Sequence, residues 1–235
     1  LMVCEIAQAS RKIHTTNWRE FVDIRDKRLM TSFYLDWRPT VMVGGHLGNF
    51  EEAVYVTGIL GIPTYAIARP LDNPLLHKWL TGFRECRGQF ILPTSGSATK
   101  IQEVLHAGGI LSLLGDQHAG NKGCWVDFMG RPASCHKAVA LFTLSQNAPM
   151  LVSYCVRKGG PLQVEVGVVA VADPRDLAPE LRDVRSLTQW YNDQLEQLIR
   201  EYPEQYWWMH RRWKERPLRG KALRQPAGAK SARAA

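Results

Sequence analysis

Short apolar runs alternate with longer amphipathic stretches along this chain between residues 40 and 114. The runs are rich in β-branched residues and are too short for helices, so they predict buried strands. These strands cover residues 40–45, 63–68, 89–92 and 109–114. The stretches between them predict helices over residues 50–60, 74–84 and 98–107. Strands and helices that alternate at this spacing predict an α/β fold with a mainly parallel central sheet flanked by helices.

The rest of the chain follows less regular patterns. It adds predicted helices over 1–30, 134–146 and 187–202, and paired strands over 150–157 and 162–171. Residues 1–39 are assigned to an N-terminal helical part, and residues 115–133 to a long Gly-rich loop. We therefore predict a single domain over 1–217, followed by a basic, disordered tail over 218–235.

Charge is distributed unevenly between the domain and its end. The 30 Lys and Arg residues exceed the 22 Asp and Glu residues, which gives a net charge of +8. Residues 211–235 contain nine basic residues and one acidic residue, so the two signs cancel over residues 1–210. A nucleic-acid-binding domain normally carries a basic face of its own, and this pattern disfavours that class.

Cysteine usage and hydropathy exclude further classes. The five cysteines form no CxxC pair, which disfavours a disulfide scaffold or a structural zinc site and is typical of a reducing compartment. No apolar run is long enough to cross a bilayer. Because the chain begins at Leu1 rather than at Met, we expect it to lack an upstream segment, such as a membrane anchor.

The sharpest local feature is His46-Leu47-Gly48-Asn49-Phe50-Glu51. His46 follows the first predicted buried strand, at the sheet edge where open α/β folds bind their ligands. Glu51 falls in the first turn of the next helix, and a turn of this kind can bring its carboxylate onto the imidazole. Such a pair acts as a general base that takes a proton from a hydroxyl. A helix-capping Glu51 beside an incidental His46 remains the alternative.

A second polar group follows the fourth predicted strand. Asp116, Gln117 and His118 open on the same sheet edge as His46 if the strands are parallel. One alternative is a metal site of His46, Asp116 and His118, although no HExxH ligand pair supports it. Another is that Asp116 only caps the loop.

Aromatic and cationic side chains are interleaved over residues 205–214. This mixture suits a membrane interface, single-stranded nucleic acid, or a core-packing cluster with solvated arginines. The chain contains no GxSxG, Walker A or GxGxxG motif, which argues against common serine hydrolases, nucleoside triphosphatases and dinucleotide-binding enzymes.

Taken together, these residues resemble the late acyltransferases of lipid A biosynthesis, within the wider lysophospholipid acyltransferase superfamily. The resemblance covers residues 1–217 and rests on five segments in the same order. They are residues 43–51, 68–74, 115–120, 126–133 and 205–217. Two features depart from the family pattern: His118 stands where an acidic residue is usual, and the usual N-terminal hydrophobic helix is missing.

The resemblance implies transfer of a fatty acyl group from an acyl thioester to a hydroxyl of a lipid acceptor. His46 would be the general base and Glu51 would orient it. The implied substrate-binding residues are Asn49, Arg69, Arg84, Asp116, Gln117, Arg211 and Arg212. Arg69 and Arg84 are candidates for binding the oxyanion or a phosphate, and Asp116 for positioning the acceptor or an arginine. Backbone N–H groups between Gly44 and Gly48 are further oxyanion candidates.

The resemblance also implies partners and a location. The thioester would be carried by acyl carrier protein or coenzyme A, and no metal or organic cofactor is required. The acceptor would resemble a lipid A precursor or a lysophospholipid, on an anionic membrane surface and without nucleic acid. The expected location is the cytoplasmic face of the bacterial inner membrane. The alternatives are a non-catalytic lipid-binding protein, or a lipid or thioester hydrolase that uses the same His46.

Overall fold

A central sheet organises the molecule, of which the computed structural model describes residues 2–94 and 96–214. Its strands are β1 Val22–Ile24, β2 Thr40–Gly44, β3 Thr64–Ile67, β4 Gln89–Leu92, β5 Ile110–Leu114, β8 Met150–Arg157 and β9 Val164–Ala172. A separate hairpin is formed by β6 Cys124–Phe128 and β7 Arg131–Cys135. The order of strands across the sheet is β1-β9-β8-β2-β5-β3-β4.

Five neighbouring strands of this sheet, from β8 to β4, run parallel to one another. β9 turns back antiparallel to β8, and β1 lies parallel to β9, so the two strands at one side run in the reverse direction. The prediction of a mainly parallel sheet flanked by helices is confirmed. All carboxyl ends of the parallel strands therefore open on one edge of the sheet.

Helices cover both faces of the sheet. They are α1 Met2–Lys12, α2 Lys27–Leu35, α3 Phe50–Ile59, α4 Pro74–Glu85, α5 Ala98–His106, α6 Ala138–Ser145 and α7 Val184–Glu201. Polar side chains cap the amino ends of several helices. The Asn73 side chain accepts hydrogen bonds from the backbone N–H groups of Leu75 and Leu76 at the start of α4, and the Asp183 side chain accepts from backbone N–H groups in the first turn of α7.

Alternation along the strands divides the interior into two cores. Val41 and Val43 point to the core shared with α5, α6 and α7, while Met42 points to the core shared with α1, α3 and α4. Each such side chain that is fully buried contributes about 1.5–3 kcal/mol. Both faces of the parallel strands are thus apolar, which explains why these strands appear in the sequence as continuous apolar runs.

Two predicted segments differ from the structure. The predicted helix over 1–30 is interrupted by β1. This segment forms a strand rather than the locally favoured helix because it pairs with β9. The predicted loop over 115–133 contains the hairpin of β6 and β7, and the following helix begins only at Ala138. The hairpin turns at Met129 and Gly130, which both have positive φ, and such a turn matches the twist of paired strands.

Two further expectations concern the membrane and the tail. In the part of the chain that the structure describes, none of the helices is both long and apolar enough to cross a bilayer. The predicted tail over 218–235 and the last residues of the predicted domain lie outside the described residues.

Candidate active site

The candidate site forms where β2 and β5 end side by side. Their parallel pairing sets Gly44 opposite Leu114, and the Gly115 N–H donates a hydrogen bond to the Gly44 carbonyl at 2.9 Å. Two residues beyond each paired end, the chains carry His46 and Asp116. The register of the two strands therefore brings these side chains together, although 70 residues separate them in the sequence.

Asp116 holds His46 through both of its carboxylate oxygens. Oδ1 lies 2.7 Å from the imidazole Nδ1, and Oδ2 accepts the His46 backbone N–H at 2.8 Å. Because Asp116 accepts at Nδ1, the neutral ring carries its proton there and has its lone pair on Nε2. The imidazole is partly accessible, whereas Asp116 is buried.

Asp116 stays ionised despite its burial. Burial alone would raise its pKa, but the hydrogen bond and charge of the His46 side chain and the His46 backbone N–H together outweigh it. The pKa of Asp116 therefore lies below its ordinary value. An ionised carboxylate at Nδ1 stabilises the imidazolium that forms when Nε2 takes a proton.

Aromatic rings and an amide surround Nε2. The rings of Phe50 and Trp207 approach the imidazole edge-on, with centroids at 4.8 and 5.6 Å. The side-chain Nε2 of Gln117 lies 3.3 Å from Nε2 of His46, and a Gln117 amide proton is the donor to that lone pair. The backbone N–H of Trp207 donates to the His46 carbonyl at 3.0 Å, which fixes this wall of the site.

The expected hydrogen bond between His46 and Glu51 is wrong. Asp116 occupies Nδ1, and Arg84 from the end of α4 binds both oxygens of the buried Glu51. The guanidinium Nε lies 2.8 Å from Oε2, and a second nitrogen binds Oε1. The pair joins the start of α3 to the end of α4. Glu51 and Arg84 therefore neutralise each other beside the site, and their part in the reaction stays a prediction.

Asn49 has a structural place instead of the predicted contact with substrate. It is fully buried, and its Oδ1 accepts the Glu52 N–H at the start of α3. Its Nδ2 donates to Glu5 at 3.2 Å and to Glu52 at 3.0 Å. With these partners Asn49 cannot reach a bound substrate, and the prediction that it binds one is wrong.

Arg212 is likewise a structural residue. Only 2% of it is exposed, and it donates to the carbonyls of Ser134 and Gln117 at 2.7 and 3.2 Å. It also contacts Cys135 Sγ at 2.7 Å and Asn192 Oδ1 at 3.3 Å. These contacts tie the C-terminal segment to the loop after β5, so the prediction that Arg212 binds substrate is wrong.

The remaining predicted substrate-binding residues lie at the carboxyl edge of the sheet, and their contacts do not prevent them from reaching a substrate. Arg69 is exposed just after β3, which neighbours β5, and Arg211 is exposed next to Arg212. Gln117 contacts His46 directly. Binding of substrate by these three residues stays a prediction.

The backbone around Gly48 serves the protein itself rather than an incoming oxyanion. Gly48 has φ +60°, and a Cβ there would collide with the Cys155 carbonyl oxygen. Its N–H donates to the Gln205 carbonyl at 2.9 Å, while the His46 N–H is bound to Asp116. The predicted use of these two N–H groups as oxyanion donors is therefore wrong.

Two aromatic residues of the site were missed by the sequence analysis. Phe50 and Trp207 lie within its quoted segments, but nothing in their spacing indicates that they flank the imidazole.

Among residues 2–94 and 96–214, no group of three or more His, Cys, Asp or Glu side chains is arranged to hold a metal ion.

An α/β domain that holds an imidazole against a carboxylate at the carboxyl edge of its sheet has a geometry that suits general-base chemistry. The sequence profile described as "Bacterial lipid A biosynthesis acyltransferase" matches residues 4–215. This chain belongs to that family.

Individual relatives are more distant. The lipid A biosynthesis lauroyltransferase of Escherichia coli is 24% identical over 181 residues, which are 77% of this chain and 58% of the relative. The lipid A biosynthesis acyltransferase of Haemophilus influenzae is 26% identical over 179 residues, or 75% and 56% of the two chains. The chain thus spans less than two thirds of the length of either relative.

A solved structure with a similar arrangement is the 1-acyl-sn-glycerophosphate (LPA) acyltransferase, PlsC, from Thermotoga maritima. The TM-score is 0.46 at 12% sequence identity, and the match covers 91% of this chain and 81% of that one.

A buried carboxylate pair lies behind the site. Arg157 Nε donates to both oxygens of Glu5 at 2.9 Å, while Glu52 is fully buried and its Oε1 has no hydrogen-bond partner among the described residues. Burial, and then the charge of Glu5, raise the pKa of Glu52 to about 8, although Arg157 and Asn49 oppose the shift. Glu52 is therefore neutral in the folded protein at neutral pH.

Replacing Glu52 by Gln tests this protonation state. The folded protein holds a proton on Glu52 up to about pH 8, whereas the unfolded chain loses it near pH 4.5. Stability of the wild type therefore falls as pH rises through this window, and Glu52→Gln removes that contribution. The free energy of unfolding in urea, measured across this pH window for the wild type and Glu52→Gln, gives the size of the contribution. Glu103→Gln, at an exposed position, is the control. Parallel profiles for wild type and Glu52→Gln would contradict the assignment.

Proposed function

We propose that this protein transfers a fatty acyl group from an acyl thioester to a hydroxyl of a lipid acceptor. The observation that carries the proposal is the imidazole of His46, held at Nδ1 by the ionised Asp116 and with its lone pair at Nε2. Membership of the lipid A biosynthesis acyltransferase family supports the choice of reaction.

In this reaction Nε2 of His46 takes the proton of the acceptor hydroxyl as its oxygen attacks the thioester carbonyl. The oxygen–carbon bond forms, the carbon–sulfur bond breaks, and the imidazolium returns the proton to the departing thiolate. Asp116 stabilises the imidazolium throughout. The thioester supplies the driving force, so we expect no metal or organic cofactor.

Gln117 is the proposed donor to the oxyanion. Its amide already points at Nε2, where the acceptor hydroxyl has to bind, so the acceptor displaces it by a small rotation. The rotated amide then lies beside the reacting carbonyl. The N–H groups of His46 and Gly48 are bound within the protein and cannot serve.

A narrow apolar pocket of about 60 Å³ lies next to the site, and we infer that it is the channel for the acyl chain. It begins at Gly44, Gly45 and Phe50 and follows the sheet beneath α3. Met30 and Leu60 line both this channel and a larger cavity of about 670 Å³ near the amino ends of the strands. Cavities of about 300–1,000 Å³ accommodate small organic ligands. We infer that the donor's acyl chain lies in the channel and that longer chains pass Met30 and Leu60.

The sheet edge that carries the site also carries exposed apolar side chains. They are Leu71, Leu75, Leu76 and Trp79 around the start of α4, and Trp207, Trp208 and Met209 beside His46. The exposed cations Arg69, Lys78, Arg211 and Lys214 lie among them in the sequence. Amphipathic rings, apolar side chains and cations together suit an anionic lipid surface. We infer that this edge faces the membrane that holds the acceptor, with acyl carrier protein or coenzyme A delivering the donor.

The catalytic assignment is tested by transfer of radiolabelled acyl groups from thioesters to lipid acceptors. We expect His46→Ala to lower kcat by about 10²–10⁴-fold. Asp116→Asn should also lower kcat, because it removes the charge that stabilises the imidazolium. Glu51→Gln should lower kcat less than Asp116→Asn, since Glu51 binds Arg84 and not His46.

Full transfer activity of His46→Ala would overturn the proposed function. Release of free fatty acid without transfer would identify a hydrolase, and lipid binding with neither reaction would identify a non-catalytic lipid-binding protein. Glu103→Gln on the exposed face of α5 is the control.

Narrowing the channel tests the place of the acyl chain. We expect Leu60→Trp to lower kcat/KM for long acyl donors while short donors react as before, because the larger ring blocks the passage to the cavity. The control is Leu141→Trp, at an exposed position on α6. Rates for a series of acyl chain lengths measure the effect, and an equal loss at every length would contradict it.

Negative charges introduced at the exposed apolar side chains of this edge test the membrane orientation. We expect the double variant Leu75→Asp and Met209→Asp to bind anionic vesicles more weakly in sedimentation, since both side chains are largely exposed at this edge. Leu35→Asp is the matched control, because Leu35 is exposed at the opposite edge, before β2. Equal vesicle binding by all three proteins would rule this edge out.

A further inference from the structure

Three polar side chains beside the site have no part in the proposed reaction. His118 follows Gln117 in the loop after β5, and its backbone N–H donates to Nε2 of His210 at 2.9 Å. Lys214 follows in the same C-terminal segment as His210 and is exposed, with no hydrogen bond or ion pair to the rest of the described chain. His118 and His210 are half-buried.

The contacts of the two imidazoles determine where their protons lie. His210 accepts at Nε2, so the proton of its neutral ring is on Nδ1. Nδ1 of His118 is buried and has no hydrogen-bond partner within the described residues. A buried N–H without an acceptor is destabilising, which places the proton of His118 on Nε2. Each ring therefore has one N–H donor available to a ligand.

The surroundings of these donors are cationic. Burial, followed by the charges of Lys214 and Arg212, lowers the pKa of His118. Burial also lowers the pKa of His210; the charge of Asp116 opposes this shift, and the charges of Arg212, His46 and Lys214 add to it. That carboxylate is occupied by His46, so Asp116 is not available to compensate a second cation. The site offers N–H donors and the positive charge of Lys214.

The loop that carries His118 is held rigidly. Arg212 binds the Gln117 carbonyl, and the Ala119 N–H donates to the Ser134 carbonyl at 3.1 Å. Arg212 binds that same Ser134 carbonyl, so the loop, the hairpin and the C-terminal segment form one unit. Donors held in place in this way lose little entropy when a ligand binds.

We propose that His118, His210 and Lys214 form a subsite for a phosphate group next to His46. A phosphate presents several strong acceptor oxygens and a negative charge, which match two N–H donors and an ammonium. Binding of the anion itself does not depend on the proposed acyl transfer. Its assignment to a substrate does, since the phosphate belongs either to the lipid acceptor or to the phosphopantetheine arm of the thioester donor.

The binding step is tested with inorganic phosphate on the full chain. NMR spectra of the imidazole C–H groups should show saturable shifts for His118 and His210 on addition of phosphate. We expect Lys214→Ala and His118→Glu to weaken this binding by at least about tenfold, as for the loss of a charge-assisted hydrogen bond. Lys122→Ala, an exposed cation on the same loop, is the matched control and should bind within about twofold of wild type.

Absence of shifts, or equal weakening by Lys122→Ala, would overturn the subsite. Because this measurement uses no thioester and no lipid, its result stands apart from that of the transfer assay. Folding of each variant is checked by its thermal unfolding, and Lys214→Ala at an exposed position supplies a test if His118→Glu does not fold.

Kinetics identify the source of the phosphate. A KM increase of about tenfold in Lys214→Ala for the lipid acceptor alone assigns the subsite to a phosphate of the acceptor. The same increase for the thioester alone assigns it to the phosphopantetheine arm. Unchanged KM values for both substrates would show that the subsite binds neither and would overturn its role in the reaction.

Discussion

The parallel pairing of β2 with β5 is the contact on which the candidate site depends. It sets Gly44 opposite Leu114 and carries the two chains into the same loop region, where His46 and Asp116 meet two residues later. A shift of the register by one residue would reverse the faces of the strand and also separate the carboxylate from Nδ1. The continuous apolar burial of both strands fixes the register, so the packing of the two cores also positions His46 and Asp116.

The buried carboxylates at the site avoid an unpaired charge in three different ways. Asp116 is stabilised by hydrogen bonds from His46 and stays ionised. Glu51 is neutralised by Arg84, which reaches it from α4. Glu52 shares Asn49 with Glu5 and forms no ion pair within the described residues, so burial and the charge of Glu5 keep it protonated. A buried charge is tolerated only with a partner, which explains why Glu52 is protonated next to the Glu51–Arg84 pair.

The segment over 205–214 divides its residues among separate tasks. Arg212 is buried and connects the loop after β5 with the hairpin, while Trp207 borders the imidazole. Trp208 and Met209 remain exposed at the same edge. The interleaved aromatic and cationic residues thus combine a structural clamp, a wall of the site and a surface that suits a lipid interface. This combination also accounts for the difficulty of assigning the segment from its composition.

The sequence by itself determined the strands and helices between residues 40 and 114 to within two residues, because their burial is written locally in the apolar pattern. It also identified His46 and placed Asp116 at the same edge. β1 was missed because its partner, β9, lies far along the chain. The β6–β7 hairpin pairs locally, but its Gly-rich surroundings led to its assignment as a loop. Only the tertiary structure decided that Asp116, and not Glu51, holds the imidazole. Spacing along a helix start shows which side chains are close, but competition with Arg84 and with a neighbouring strand decides which contact forms.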